Sequence, residues 1–199
     1  MLKDIVVNLS SRGGFAAQYA TSIAAMFGAH ITGVSFVYEP VIPDGMLGGV
    51  PVDLIELQRQ ESSKAANDAV NRFDAGVKKA GVSTETRLLD ATFGGAATRF
   101  AEIARRFDLA VVGQAQREGG PADDLVIEGA LVESGRPLVI VPYIQKRGIT
   151  LERVLACWDG SRTAARAIGD AMPFLERAKA VDVVIVAEER KPHADRASH

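Results

Sequence analysis

Within its first 38 residues the chain sets a short β-branched run, a helix-spaced run and a second apolar run directly after one another. Residues 5–9 (IVVNL) are bounded by the turn-forming SSRGG and predict a buried strand. Residues 15–27 follow with Ala16, Tyr19, Ala20, Ile23, Ala24 and Phe27 at helical spacing and stop at Gly28. Residues 31–38 are the next strand. A strand, a helix and a strand in so short a stretch form a βαβ unit, so the two strands pair in parallel through a right-handed crossover.

The alternation continues. The Pro- and Gly-rich stretch EPVIPDGMLGGVP is a loop, a candidate lid or partner contact on the carboxyl side of the strands. Asp53 is placed to cap a long helix through Leu57, Ala66, Val70, Phe73 and Val77 that ends at Gly81. Residues 84–89 predict an edge strand, 95–107 a helix, 109–112 a short central strand running into Gly113, 124–133 a helix, and 137–141 a last strand. Five strands alternating with four helices predict a doubly wound open α/β sheet of mainly parallel strands.

After Tyr143 the polar segment QKRGITLE reads as a linker, and then the pattern restarts. Residues 154–158 predict a strand, 162–178 a helix and 181–187 a strand. Val6-Val7-Asn8-Leu9-Ser10 aligns with Cys157-Trp158-Asp159-Gly160-Ser161, so the chain carries an internal repeat that stops after its second strand. The expected organisation is a complete domain over 1–144, a linker over 145–152, a partial βαβ repeat over 153–188 and a disordered polar tail over 189–199.

Composition narrows the function classes. The 199 residues are 47% hydrophobic, enough for a core, and a net charge of −2 supplies no basic field for nucleic acid or an anionic membrane. No stretch approaches the roughly 20 apolar residues that span a bilayer. The single cysteine, Cys157, forms no internal disulfide and reads as a core residue of its strand. A cytoplasmic protein is expected. No nucleophile–base–acid set and no cluster of metal ligands can be assembled, so neither catalysis nor a metal is expected.

The segment VLACWDGSRTAARAI resembles the opening of a universal stress protein: a hydrophobic strand, Asp-Gly-Ser, then an Ala-rich helix. FDLAVVGQ followed by EGALVESGRPLVIVPY is similar to that family's closing signature. The resemblance covers residues 1–190 and implies the universal stress protein fold, related to the adenine nucleotide alpha hydrolases. The chain looks like a tandem member with a truncated second repeat. It also implies a candidate nucleotide site at Asn8, Val37, Val112, Gly113, Gly119, Gly129 and Ala130.

Many members of that family bind ATP through Gly, two residues, Gly, nine residues, then Gly with Ser or Thr. Glycines let backbone N–H groups approach phosphate, and the following helix N-terminus adds a partial positive charge. Here Gly113 takes the first position but Gln116 the second. Counting from Gly119 instead, nine residues lead to Gly129, and Ala130 then lacks the hydroxyl. Asn8 replaces the adenine-side aspartate, which the repeat keeps as Asp159. Glu118, Asp123, Asp124 and Glu128 crowd the loop, each costing a nearby triphosphate on the order of 1 kcal/mol.

Two functions follow from this pattern. The first is a non-catalytic, stress-associated regulatory protein with a degraded ATP motif, acting through protein contacts. Its homodimer would pair residues 137–141, which open on Pro137 and close on Val141. The second is an adenine-nucleotide-binding protein with at most slow ATP hydrolysis. No cofactor is expected in the first case, and ATP in the second.

Overall fold

Ile5, Val6 and Val7 are wholly removed from solvent, which a strand achieves when both faces of its sheet are covered. They lie on β1 (Asp4–Asn8), the middle strand of a sheet ordered β3-β2-β1-β4-β5. β2 (His30–Tyr38) and β3 (Thr84–Ala91) extend it to one side, β4 (Leu109–Gly113) and β5 (Leu138–Val141) to the other. Every neighbouring pair is parallel. The computed structural model describes residues 2–10, 14–40, 51–116 and 121–185. Of the candidate lid or contact loop over 39–51, residues 41–50 lie outside them, as does the expected tail over 189–199.

The chain divides into two units, Met1–Ile149 and Thr150–His199. In the first, α1 (Phe15–Phe27), α2 (Val52–Ala80), α3 (Phe93–Ala104) and α4 (Pro121–Glu133) connect the strands. Strand order runs one way from β1 to β3 and the other way to β4 and β5. Right-handed crossovers therefore set α1 and α2 on one face and α3 and α4 on the opposite face. Phe100 of α3 is fully buried among Val6, Val34, Val112 and Val126, the centre of the second face's core.

Helix ends follow local chemistry. α1 and α2 stop at Gly28 and Gly81, whose φ angles of 64° and 65° suit a residue without Cβ. Asp53 does not cap α2; Pro51 holds that position, and Asp53 sits in the first turn, where its charge suits the helix dipole. α3 begins two residues earlier than expected because Thr92 caps it, accepting the Gly95 N–H at 3.1 Å. It closes at Ala104, and the next turn tightens, with Arg106 N–H donating to Ile103 at 3.1 Å. α4 begins at Pro121, a residue well suited to the first helical position.

The second unit is a two-stranded parallel sheet of β6 (Val154–Trp158) and β7 (Val181–Ile185), joined by α5 (Arg162–Leu175). Ser161 caps α5 by accepting the Ala164 N–H at 3.1 Å. The helix stops short of residue 178: Pro173 removes one donor, and Arg177 and Ala178 bond back three residues rather than four. Ala156 is the one buried residue among those described in this unit. Cys157, expected in a core, is exposed. Among the described residues of this unit nothing covers its side of the two-stranded sheet, and apolar flanking residues do not supply a layer.

Among the described residues no helix is long and apolar enough to cross a membrane, and no group of His, Cys, Asp or Glu could hold a metal ion.

Candidate functional site

Strand order reverses between β1 and β4, and open α/β sheets hold ligands beyond the carboxyl ends of the strands at such a point. Asn8 ends β1 and is buried; Gly113 ends β4 beside it. The backbone beyond each strand stays tied to the sheet: Leu9 N–H donates to the Val34 carbonyl at 2.7 Å and Gln114 N–H to Val141 at 2.8 Å. Asn8, Val112 and Gly113 thus share one crevice, joined by Ser10, Phe15 and Asp123.

That crevice has a volume of about 10 Å³. A single water needs roughly 10–15 Å³. Phe15, the first residue of α1, accounts for the closure. A methyl group on Gly113 would come within 3.0 Å of its ring, so the aromatic edge lies directly on the glycine. On the far side of Phe15 a larger cavity of about 830 Å³ opens along α1, and Asn8, Ser10, Phe15 and Gly113 line both spaces.

The N-terminus of α4 faces the crevice with acids. Asp123 and Asp124 stand in its first turn, the position where helix N–H groups would otherwise meet an anion. Tyr38, at the end of β2, senses this charge. Burial first, and the Asp123 carboxylate second, push its hydroxyl from 10.0 up to about 12. The ring packs on Phe93 with centroids 4.9 Å apart, and the Tyr38 N–H donates to Ser62 Oγ at 2.7 Å.

A prediction follows from that pair. Folded Tyr38 holds its proton more tightly than the unfolded chain does. Its contribution to stability is therefore present below pH 10 and lost as pH rises through about 12. Titrating phenolate absorbance in the parent and in Tyr38→Phe isolates this one of three tyrosines. Asp123→Asn lowers the midpoint, though not to the ordinary value, because burial is the larger cause. An ordinary midpoint in the parent would refute the geometry.

The remaining predicted positions lie elsewhere. Val37 is buried near the end of β2, paired in register with Asp90 of β3. Gly129 and Ala130 sit inside α4, well past its first turn, where backbone N–H groups are spent on helical bonds. Gly129 faces the α3 backbone, and Ala130 is fully buried in the core cluster. Gly119 lies outside the described residues. In the second unit, Asp159 accepts the Ser161 N–H at 2.8 Å, and bonds from Ser161 hold its carboxyl below the usual range.

Sequence reasoning overlooked Phe15 as the residue that closes the crevice. It noted Asp123 only as one of a crowd of charges. The one sequence signal for Phe15 was an aromatic at the first helical position, directly after Gly13-Gly14.

Solved structures share this architecture. A universal stress protein from Archaeoglobus fulgidus DSM 4304 matches with a TM-score of 0.66 and 17% identity, over 96% of this chain and 68% of that one. UspA from Lactobacillus plantarum matches with a TM-score of 0.54 and 15% identity, over 70% and 97%. A universal stress protein family member from Burkholderia pseudomallei is 24% identical over 71% and 96%, with a TM-score of 0.49. No protein-family model and no curated protein matches the sequence. At these identities the likeness is one of fold: the chain has the doubly wound α/β fold of the universal stress proteins.

Proposed function

We propose that this chain is a non-catalytic regulatory protein on a universal stress protein fold, acting through a second copy of itself and through protein contacts. The carrying observation is the Phe15 ring seated on Gly113, which leaves about 10 Å³ between β1, β4 and the start of α4, where a phosphate would have to meet that helix. Small-molecule sites usually occupy roughly 300–1,000 Å³. The Asp123 carboxylate in the same crevice adds repulsion against any phosphate.

Dimerisation is supported by β5, an edge strand with β4 as its one strand partner among the described residues. An edge of this kind offers unpaired backbone groups to a matching strand. We read the second unit as an incomplete copy of the first, because β6-α5-β7 repeats the order and parallel pairing of β1-α1-β2.

Calorimetric titration with ATP and magnesium is expected to give no heat, and 1 mM ATP no rise in melting temperature. A site with a dissociation constant of about 100 μM would raise the unfolding free energy by about 1.4 kcal/mol at that concentration. Such a rise would establish the second reading, a nucleotide-binding protein with at most slow hydrolysis. Sedimentation is expected to show a dimer; a strict monomer across micromolar concentrations removes the partner proposed for β5.

A further inference from the structure

The cavity of about 830 Å³ beyond Phe15 is a second space, with chemistry unlike that of the crevice. It runs between α1 and α2 and is walled by the segment that follows β5. Its floor is apolar: Phe73 and Ala69 of α2 are buried there, and Leu9 and Ala16 close the end nearest the sheet. Arg72, Lys79 and Lys146 supply its charge, and among the described residues its lining holds no carboxylate. In a chain whose acids outnumber its bases, 25 to 23, that segregation sets the sign of what the cavity attracts.

The wall is anchored at a definite point. Ile149 N–H donates to Ser22 Oγ of α1 at 2.8 Å, across 127 positions of sequence. Gly148 lies so near that an added Cβ would come within 2.7 Å of the Ser22 Cβ, so the contact requires glycine. This bond and the close approach of Gly148 fix the end of the segment on α1, and Tyr143, Gln145 and Lys146 just before it line the cavity. On the opposite side, Gly76 lies within α2 with nothing within 4 Å of where its Cβ would be. A glycine inside a helix is unfavourable, and here its missing side chain leaves cavity volume open.

We propose that this cavity binds an organic anion, a carboxylate or sulfonate carried on an apolar body. The body lies along Phe73 and Leu9, and the charge meets Lys79 and Lys146. The size lies within the range of small-molecule sites, and exposed ammonium groups at the rim select charge while the floor selects the apolar part. This goes beyond the regulatory function proposed above and stands or falls independently of the closed crevice.

The test uses the full chain and the fluorescent probe 8-anilinonaphthalene-1-sulfonate, with laurate as competitor. The expected result is saturable binding, displaced by laurate and weakened by added salt. Lys79→Gln with Lys146→Gln weakens it about ten-fold, as expected from two exposed charge contacts. A Cβ at Gly76 meets nothing within 4 Å, so Gly76→Leu extends into the open cavity and abolishes laurate displacement while circular dichroism shows an intact fold. Melting temperature rises with laurate in the parent and not in Gly76→Leu.

Equal binding by parent, lysine variant and Gly76→Leu would overturn the proposal, since the probe would then sit elsewhere, for instance on the exposed Leu155 and Ile185 of the second unit. Displacement by inorganic phosphate as effectively as by laurate would overturn it as well, because the apolar body would contribute nothing.

Discussion

Replacing Phe100 by alanine is expected to cost about 3–5 kcal/mol of unfolding free energy, the range for emptying a fully buried aromatic site. Domains of this kind are stable by roughly 5–15 kcal/mol, so the variant sits at the margin of folding. The site cannot collapse easily. Phe100 has no exposed surface and is enclosed by strands β1, β2 and β4 and by Val126 of α4, all themselves in the core. Alanine's better helix propensity returns at most about 0.7 kcal/mol. Urea unfolding followed by far-ultraviolet circular dichroism measures the change. Tryptophan fluorescence does not, because the single tryptophan, Trp158, belongs to the second unit. A loss below 1 kcal/mol would mean that α3 does not pack as described.

Gly129→Leu is expected to have the next largest effect, about 2–3 kcal/mol of destabilisation, typical of overpacking a tight contact. A Cβ at Gly129 would lie 3.0 Å from the Ala97 carbonyl oxygen and 3.2 Å from the Ala97 Cβ. Both belong to α3, whose backbone cannot yield without disturbing the Phe100 core. Leucine's higher helix propensity offsets only part of this. The experiment also separates two roles for one residue. A glycine that cradles phosphate would, on substitution, change nucleotide affinity and leave the folding midpoint nearly unmoved. A glycine that lets two helices approach shifts the midpoint whether or not ATP is present. Parallel urea curves displaced to lower midpoints, with and without ATP, are the expected outcome.

Much of the fold could be read before any coordinates. The helix over 15–27 matches α1 because Ala16, Ala20, Ile23, Ala24 and Phe27 repeat at helical spacing and the same residues are buried. β1 was legible because a strand covered on both faces must be apolar at consecutive positions. Helix ends were less legible. α3 and α5 close in tight turns bonded three residues back, and α4 starts on a proline, features that apolar periodicity does not encode. Cys157 misled because flanking apolar residues suggest burial, whereas burial requires a second layer that the described residues of its own unit do not provide on that side.

The site was legible only in part. Asn8, Val112 and Gly113 come together because each ends, or nearly ends, a strand at the reversal of strand order, which the structure places between β1 and β4. Gly129 and Ala130 do not join them, since spacing counted along a loop says nothing about where the next helix begins. With α4 starting at Pro121, those residues fall past its first turn and into the core.

What the sequence by itself determined is the class of fold. Local periodicity states which face of each element is apolar, and short connections with right-handed crossovers restrict that order of elements to parallel, doubly wound sheets, leaving the order of strands to the tertiary structure. The state of the strand ends was decided by tertiary structure alone. Phe15 lies on Gly113, burial with Asp123 nearby raises the Tyr38 hydroxyl, and Ile149 is tied to Ser22 across 127 positions. Each depends on a side chain's direction and a distance between remote residues, and neither is written in the spacing of residues along the chain.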